Sequence, residues 1–182
     1  MTETLENPLL EGLMLRRTPD PCVFVIVGAS GDLTQRKLFP ALYSLAYRRL
    51  LPEKFAVVGV ARTEESDDDF RARMEDAVKE HARDPFRDDV WERLVDGISY
   101  IATDFADEEG EDRLASRLSE LDEERGTEGN RLYYFAVPPA AIETLVEELG
   151  KRRSAKGWTR LVIEKPFGHD LETARELTKR LR

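Results

Sequence analysis

The sequence of 182 residues is long enough for one domain with a hydrophobic core. Its formal net charge of −9 argues against nucleic acid or an anionic membrane as a partner, and no apolar run is long enough to span a bilayer. Cys22 is the only cysteine, which excludes a disulfide framework and a cysteine-rich metal site and favours a cytoplasmic location.

The first predicted strand and the turn after it organise the chain. Residues 1–21 are predicted to form a mobile or loosely docked N-terminal arm. Val23–Val27 is an apolar run that predicts a buried strand, and a glycine turn and a helix beginning near Asp32 follow it. Apolar residues at helical spacing continue over Leu33–Leu51, where Pro40 either kinks the helix or starts a second one.

Strands and helices alternate over the rest of the chain. Strands are predicted at Phe55–Ala61, Ile98–Thr103, Arg131–Val137 and Arg160–Glu164. Helices are predicted at Ser66–Arg83, Asp88–Val95, Asp107–Arg125, Ala140–Lys151 and Leu171–Leu181, the last capped by Asp170. This order predicts an α/β fold, a Rossmann-like doubly wound parallel sheet of strand order 3-2-1-4-5 with helices on both faces.

The glycine turn predicts a nucleotide site. It reads G-x-x-G-x-x-T, with Gly28, Gly31 and Thr34, and Ser30 stands where G-x-G-x-x-G has its second glycine. Small residues let the backbone approach a phosphate, and the amides of the helix start face it. Glycines alone are typical of any tight turn, so the prediction depends on the apolar strand before them and the helix after them.

The residue after the second strand indicates which coenzyme is bound. An acidic side chain there would accept a hydrogen bond from a ribose 2′-hydroxyl and mark NAD. Arg62 instead offers a planar, permanent charge that suits a 2′-phosphate and favours NADP. The alternative is a solvated arginine paired with Glu64 or Glu65.

Other candidate residues follow the remaining strands. Thr103 and Asp104 follow strand three, where the adenine side is expected, or they are ordinary loop residues. Lys165, after strand five, could contact an anionic substrate group or be a surface lysine, and the bond before Pro166 is a candidate for the cis form. Pro138 and Pro139 either line the cleft or only end strand four.

No catalytic base or metal site is predicted. His81 lies on a charged helix, and His169 has no carboxylate spaced to orient it. The last predicted helix reaches the end of the sequence without a stop signal, so we expect residues 22–182 to be one domain that lacks a following catalytic domain.

Five segments together resemble the glucose-6-phosphate dehydrogenase family in its N-terminal NAD(P)-binding domain: GASGDL, RKLFP, VGVAR, RLYYFAVPP and EKPFG. The resemblance runs from about Val23 to the end. It implies NADP as the coenzyme, with its 2′-phosphate on Arg62 and its nicotinamide near Tyr134. It places the pyrophosphate on the residues of the turn: Gly28, Ala29, Ser30, Gly31, Asp32, Leu33, Thr34 and Gln35.

The resemblance also implies roles for residues after strands three and five. Thr103 and Asp104 would lie near the adenosine, and Lys165 would contact both the sugar phosphate and the coenzyme region. The family oxidises the C1 hydroxyl of glucose 6-phosphate with hydride transfer to NADP and forms a lactone, in the pentose phosphate pathway. Its RIDHYLGK segment and its Asp–His pair are not found in these residues, so we expect coenzyme binding without turnover by this chain alone.

Other functions remain open at this point. The chain could be a non-catalytic NADP-binding module, one half of a split enzyme with a complementing C-terminal chain, or a Rossmann-like domain that has lost its ligand. A homo-oligomer is also open.

Overall fold

The computed structural model describes residues 19–104, 107–151 and 156–165. The strands in these ranges form one sheet in the order β3-β2-β1-β4-β5, and every neighbouring pair is parallel. The predicted strand order is therefore confirmed. The strands are β1 Cys22–Val27, β2 Phe55–Ala61, β3 Ile98–Ala102, β4 Arg131–Phe135 and β5 Thr159–Ile163.

Helices connect these strands close to the predicted positions. A π-helical segment, Thr34–Leu38, comes first, and the α-helices are α1 Phe39–Tyr47, α2 Asp67–His81, α3 Asp88–Val95, α4 Glu108–Arg125 and α5 Pro139–Lys151. None of the helices in the described ranges is both long enough and apolar enough to cross a membrane. Four predictions lie wholly or partly outside the described residues: the arm before residue 19, the state of the Lys165–Pro166 bond, the position of His169 and the helix capped by Asp170.

The proline in the first helical region marks the start of a new α-helix. The π-helical segment carries the chain as far as Phe39, where α1 begins with Pro40 in its first turn. A proline has no N–H to donate, and the first turn of a helix is where this costs no hydrogen bond. The structure thus favours the second of the two alternatives, with the irregularity placed in the π-helical segment before the proline.

Helix starts follow the capping residues in the sequence. The Ser66 side chain accepts from the Asp69 amide at 3.1 Å and caps α2, as predicted. The Asp107 side chain accepts from the Gly110 amide at 3.1 Å and caps α4, so this helix begins one residue later than predicted. Acidic residues fill the first turn of both helices, where the helix dipole favours negative charge.

Two apolar layers cover the sheet. Successive residues of a strand point to opposite faces, and all six residues of β1 are buried. One face packs under α1, α2 and α3 with Ile26, Phe39 and Phe70, and the other packs with α4 and α5 through residues such as Leu121 and Phe135. Helices on both faces, as predicted, explain why the central strands are continuous apolar runs.

The two edges of the sheet differ. Charged side chains bind the outward backbone groups of β3: the Ile98 carbonyl accepts from Arg71 Nε (2.9 Å) and Nη2 (2.7 Å), the Tyr100 amide donates to Asp67 (2.7 Å), and the Ala102 carbonyl accepts from Arg113 (2.8 Å). At the other edge the residues of β5 alternate between half-buried and exposed, and Val162 is 36% exposed. Bound backbone groups protect an edge from pairing with another chain.

Candidate functional site

A cleft with a cavity volume of about 690 Å³ opens at the carboxyl ends of β1 to β4. The chain leaves β1 toward β2 on one side, while β4 lies on the other side of β1. The cleft therefore lies at the point where the strand order reverses, which is where open parallel sheets bind ligands. Its lining residues come from the ends of β1–β4 and the first turns of α5.

The turn after β1 requires glycine at its first position. Gly28 has φ +90°, and a Cβ atom there would lie 2.4 Å from the Ala136 carbonyl oxygen. The Gly28 and Ala29 amides donate to the Val60 carbonyl at 2.8 and 3.1 Å, which ties the turn to β2. A side chain at position 28 would push the turn away from the neighbouring strand, so the close approach depends on glycine.

The helix start beside this turn has amides available to an anion. The Gly31 amide donates back to the Gly28 carbonyl at 3.0 Å, but no described backbone carbonyl accepts from the amides of Ser30, Asp32 and Leu33. Unpaired amides of this kind carry the positive end of the helix dipole. Ser30 lines the cleft, so its amide lies where a phosphate would be held, and the amides of Asp32 and Leu33 follow directly after the lining residue Gly31.

Other residues of the predicted phosphate turn stabilise its backbone through burial and side-chain hydrogen bonds. Ala29 and Thr34 are fully buried, and the Thr34 hydroxyl donates to the Gly28 carbonyl at 3.4 Å. Gln35 Nε2 donates to the Ser30 carbonyl at 3.4 Å, while Asp32 is exposed and pairs with Arg36 at 3.9 Å. Of the eight predicted turn residues, the structure brings Gly28, Ser30 and Gly31 to the cleft and leaves Ala29, Asp32, Leu33, Thr34 and Gln35 outside its lining.

Arg62 lines the cleft at the end of β2 and is exposed. Within the described ranges it has no ion-pair partner, because Glu65 is held by Arg73 at 2.6 and 2.8 Å and Glu64 does not approach Arg62. The alternative in which Arg62 pairs with Glu64 or Glu65 is therefore not formed. A permanent positive charge remains available at the mouth of the cleft.

The end of β3 forms one wall of the cleft. Thr103 is buried, its amide donates to the Ala61 carbonyl at 2.8 Å, and its hydroxyl donates to the Asp104 carbonyl at 2.9 Å. Gly110 packs directly against Thr103, since a Cβ atom at Gly110 would lie 1.6 Å from the Thr103 Oγ1 atom. Thr103 and Asp104 both line the cleft, with Asp104 exposed, so both predicted residues reach it.

Tyr134 and Lys165 lie near the carboxyl ends of β4 and β5, outside the cleft lining. The Tyr134 hydroxyl donates to the Glu164 carboxylate. Burial, then this hydrogen bond and the Glu164 charge, raises the pKa of Tyr134 to about 12. The Tyr134 ring packs near Phe24, with centroids 6.1 Å apart, and Lys165 is exposed.

One wall of the cleft was not predicted from the sequence. Val137, Ala140, Ala141, Thr144 and Leu145 face the cavity from the start of α5, and Thr63 faces it after β2. The signal was present in the small residues Ala140 and Ala141 at the start of a helix that follows a strand on this edge. Of the two prolines considered earlier, Pro138 lines the cleft and Pro139 begins α5.

The residues of the cleft fit an anionic dinucleotide. A turn that excludes a Cβ atom at position 28, amides without backbone acceptors and an arginine without an ion-pair partner among the described residues together provide a close approach and positive charge. In the described residues no group of three His, Cys, Asp or Glu side chains is placed to hold a metal ion.

Comparisons with known proteins agree with this geometry. Residues 25–182 match the family model described as glucose-6-phosphate dehydrogenase, NAD binding domain. A relative from Mycobacterium tuberculosis, glucose-6-phosphate 1-dehydrogenase 2, is 46% identical over 179 residues, which cover 95% of this chain and 35% of the relative.

Solved structures give the same result. A glucose-6-phosphate dehydrogenase in complex with its substrate glucose-6-phosphate is 33% identical, with a TM-score of 0.76 over 90% of this chain and 34% of that one. The enzyme from Mycobacterium avium is 34% identical, with a TM-score of 0.74 and the same coverage. The chain thus spans about a third of the length of these relatives. With its fold, cleft and matched residues, it belongs to the glucose-6-phosphate dehydrogenase family, in the NAD-binding domain.

Proposed function

We propose that this chain is the part of an NADP-dependent glucose-6-phosphate dehydrogenase that binds the coenzyme. The pyrophosphate lies on the amides of the Gly28–Gln35 turn, and the 2′-phosphate lies on Arg62. The adenine lies toward Thr103 and Asp104. The observation that carries the choice of NADP is that Arg62 lines the cleft without an ion-pair partner in the described chain.

The substrate end of this proposal rests on the carboxyl ends of β4 and β5. When bound, NADP supplies the acceptor for the hydride that leaves C1 of the sugar. Tyr134 lies on the nicotinamide side, and the Lys165 ammonium contacts the phosphate-bearing sugar. Relatives are named glucose-6-phosphate 1-dehydrogenases, and one solved relative is described with glucose 6-phosphate, which supports this substrate.

We further propose that this chain alone does not oxidise the sugar. In the described ranges His81 is the single histidine, and it lies at the end of α2, away from the residues that line the cleft. A proton acceptor for the C1 hydroxyl is therefore expected from outside the described residues, and we propose that a complementing chain or domain supplies it. A non-catalytic NADP-binding module is the alternative, and a cytoplasmic location fits either function.

The test compares two coenzymes and two arginines. Arg62→Ala is expected to weaken NADP binding about 10- to 100-fold, because a charge-assisted contact to a phosphate is lost, while NAD binding changes little. Arg83→Ala is the matched control, since Arg83 is also exposed but follows α2 and does not line the cleft. Calorimetry measures the affinities of both coenzymes for the unaltered chain and for the two variants.

The outcomes separate the parts of the proposal. Equal loss of NADP and NAD affinity in Arg62→Ala would contradict the 2′-phosphate role. No binding of either coenzyme to the unaltered chain would contradict the coenzyme site itself. The chain alone is also mixed with NADP and glucose 6-phosphate, and NADPH is followed by its ultraviolet absorbance. Formation of NADPH would contradict the need for a complementing part.

A further inference from the structure

An acidic group lies beside Tyr134 at the ends of β4 and β5. Glu164 follows β5 directly, is exposed, and accepts the hydrogen bond of the Tyr134 hydroxyl. In the part of the chain that the structure describes, Glu164 has no ion-pair partner. Among these residues, the Glu164 charge is therefore held in one place by a neutral donor.

Folding stability alone gives little reason for this contact. Both groups are at least partly open to solvent, and a hydrogen bond between such groups contributes little net stability because water competes for it. Tyr134 is anchored without it, since its ring packs near Phe24 and its backbone pairs with Val162 in the sheet. The contact instead determines where the Glu164 carboxylate is held.

The topology places this carboxylate on one side of the bound coenzyme. Arg62 and Thr103 line the cleft at the ends of β2 and β3, on one side of the Gly28 turn. A dinucleotide with its 2′-phosphate at Arg62 and its pyrophosphate at the turn must extend its second nucleoside toward β4 and β5. The end of β5, with Glu164, lies in that direction.

The two redox forms of the coenzyme differ in charge at that end. The oxidised nicotinamide ring carries one positive charge, and the reduced ring carries none, whereas the phosphates are the same in both. We propose that Glu164, held by Tyr134, is a specificity-determining residue that makes the site prefer NADP over NADPH. This inference rests on the coenzyme site proposed above.

Such a preference is useful in a dehydrogenase that takes up NADP and releases NADPH. A carboxylate near the ring stabilises the bound oxidised form by Coulomb attraction, and it leaves the neutral reduced form without this attraction. NADP would therefore compete more effectively with NADPH for the site, and NADPH would dissociate more readily after the reaction.

The experiment measures both coenzymes in Glu164→Gln, which keeps the size of the side chain and an acceptor for Tyr134. The dissociation constant of NADP is expected to rise roughly three- to tenfold, with that of NADPH changed by less than about twofold. Glu53→Gln is the matched control, because Glu53 is an exposed glutamate just before β2, at the amino ends of the strands and away from the cleft. Titrations use calorimetry for NADP and fluorescence for NADPH.

Tyr134→Phe tests whether the tyrosine holds the carboxylate. Removal of the hydroxyl releases Glu164, so the ratio of the two dissociation constants is expected to move in the same direction by a smaller factor. An NMR titration of protein labelled with ¹³C at the tyrosine ζ carbon gives the pKa of Tyr134. The Tyr134 signal is assigned by its loss in Tyr134→Phe. In Glu164→Gln this pKa is expected to fall from about 12, because the carboxylate charge is gone.

The outcomes are distinct. A selective loss of NADP affinity in Glu164→Gln supports the inference. An equal change for both coenzymes, or no change for either, overturns it and leaves the proposed coenzyme site intact. An unchanged Tyr134 pKa in Glu164→Gln also overturns it. If the unaltered chain binds neither coenzyme, the proposed function fails, and this inference fails with it.

Discussion

The β3 side of the sheet and the β4–β5 side are stabilised in different ways. On the β3 side, Arg71, Asp67 and Arg113 bind the outward backbone groups of the edge strand, and the first three residues of this strand are buried. On the other side, β5 alternates between half-buried and exposed residues, and a buried ion pair lies at the start of β4.

This difference shows which side of the sheet the described residues protect by themselves and which side they leave accessible to another part of the enzyme. In the described residues the β3 edge is protected from pairing with a further strand, because side chains bind its outward backbone groups, whereas no described side chain binds the backbone of β5 in this way. The coenzyme cleft is built by β1–β4 and α5, while Tyr134, Glu164 and Lys165 lie toward the open side. The groups proposed for the nicotinamide and the sugar thus lie where a complementing part of the enzyme could reach them.

The largest expected effect comes from the ion pair on the β4 side. Asp122 accepts from Arg131 through both of its oxygens and from the amide of Gly129 at 2.9 Å, and the Arg131 side chain is 6% exposed. Asp122→Ala leaves this guanidinium buried without its counter-charge, which is expected to cost about 3 kcal/mol in the free energy of unfolding. Urea denaturation measures this loss.

The pH dependence of the same variant gives an independent check. Burial alone would raise the pKa of Asp122, but hydrogen bonds from Arg131, Thr127 and Gly129 outweigh it and hold the pKa below its ordinary value. A lowered pKa in the folded state stabilises the protein above the unfolded pKa, and this stability is lost as the pH falls through the folded value. The acid-side loss of stability should therefore be shallower in Asp122→Ala. An unchanged acid limb, or a loss no larger than in the exposed control Asp96→Ala, would contradict this account.

A smaller effect is expected from opening the β3 edge. Arg71→Ala removes two donors from the Ile98 carbonyl, at 2.9 and 2.7 Å, and should cost about 1–2 kcal/mol in the free energy of unfolding. The exposed edge should also increase aggregation, measured by light scattering. Arg93→Ala removes only an exposed pair with Asp89 at 3.3 Å, so it should do neither. Equal aggregation in both variants would show that the edge is not what Arg71 protects.

The smallest change in stability is expected at the β5 edge. Val162→Lys places a charge on an exposed strand residue, and the free energy of unfolding should change by less than about 0.5 kcal/mol. A lysine on an open edge opposes strand pairing, so aggregation should fall. Leu45→Lys puts the same charge on α1, where the leucine is 39% exposed and no strand edge is near. If both variants lower aggregation equally, the cause is the loss of an exposed apolar side chain, and pairing at the β5 edge is not what drives aggregation.

Local sequence signals predicted most of the fold because they act over a few residues. The buried strands follow from apolar runs such as Phe55–Ala61, and the start of α2 follows from Ser66 and three aspartates. The strand order follows from alternating strands and helices with right-handed crossovers. The glycine turn was recognised for the same reason, since a strand, a small-residue turn and a helix are adjacent in the chain.

The cleft itself was only partly predictable. Gly28, Ser30, Gly31, Arg62, Thr103 and Asp104 were identified from their positions after strands, and all line it. Five other turn residues were assigned to the site by the family resemblance, and the structure puts them outside the lining. Sequence position alone does not distinguish Thr34, which braces the turn from inside, from Ser30, which faces the ligand side.

The sequence by itself determined the alternation of elements and, through right-handed crossovers, the sheet order, because these depend on neighbours in the chain. The need for glycine at position 28 is in part tertiary, since a Cβ atom there would meet the Ala136 carbonyl oxygen. Only the tertiary structure decided that Arg62 has no ion-pair partner among the described residues, since Arg73 binds Glu65. It also decided that Tyr134 meets Glu164, 30 residues further along the chain, and that described side chains bind the backbone of the β3 edge. Such contacts join residues that are distant in the chain, and they exist only once the strands are in register.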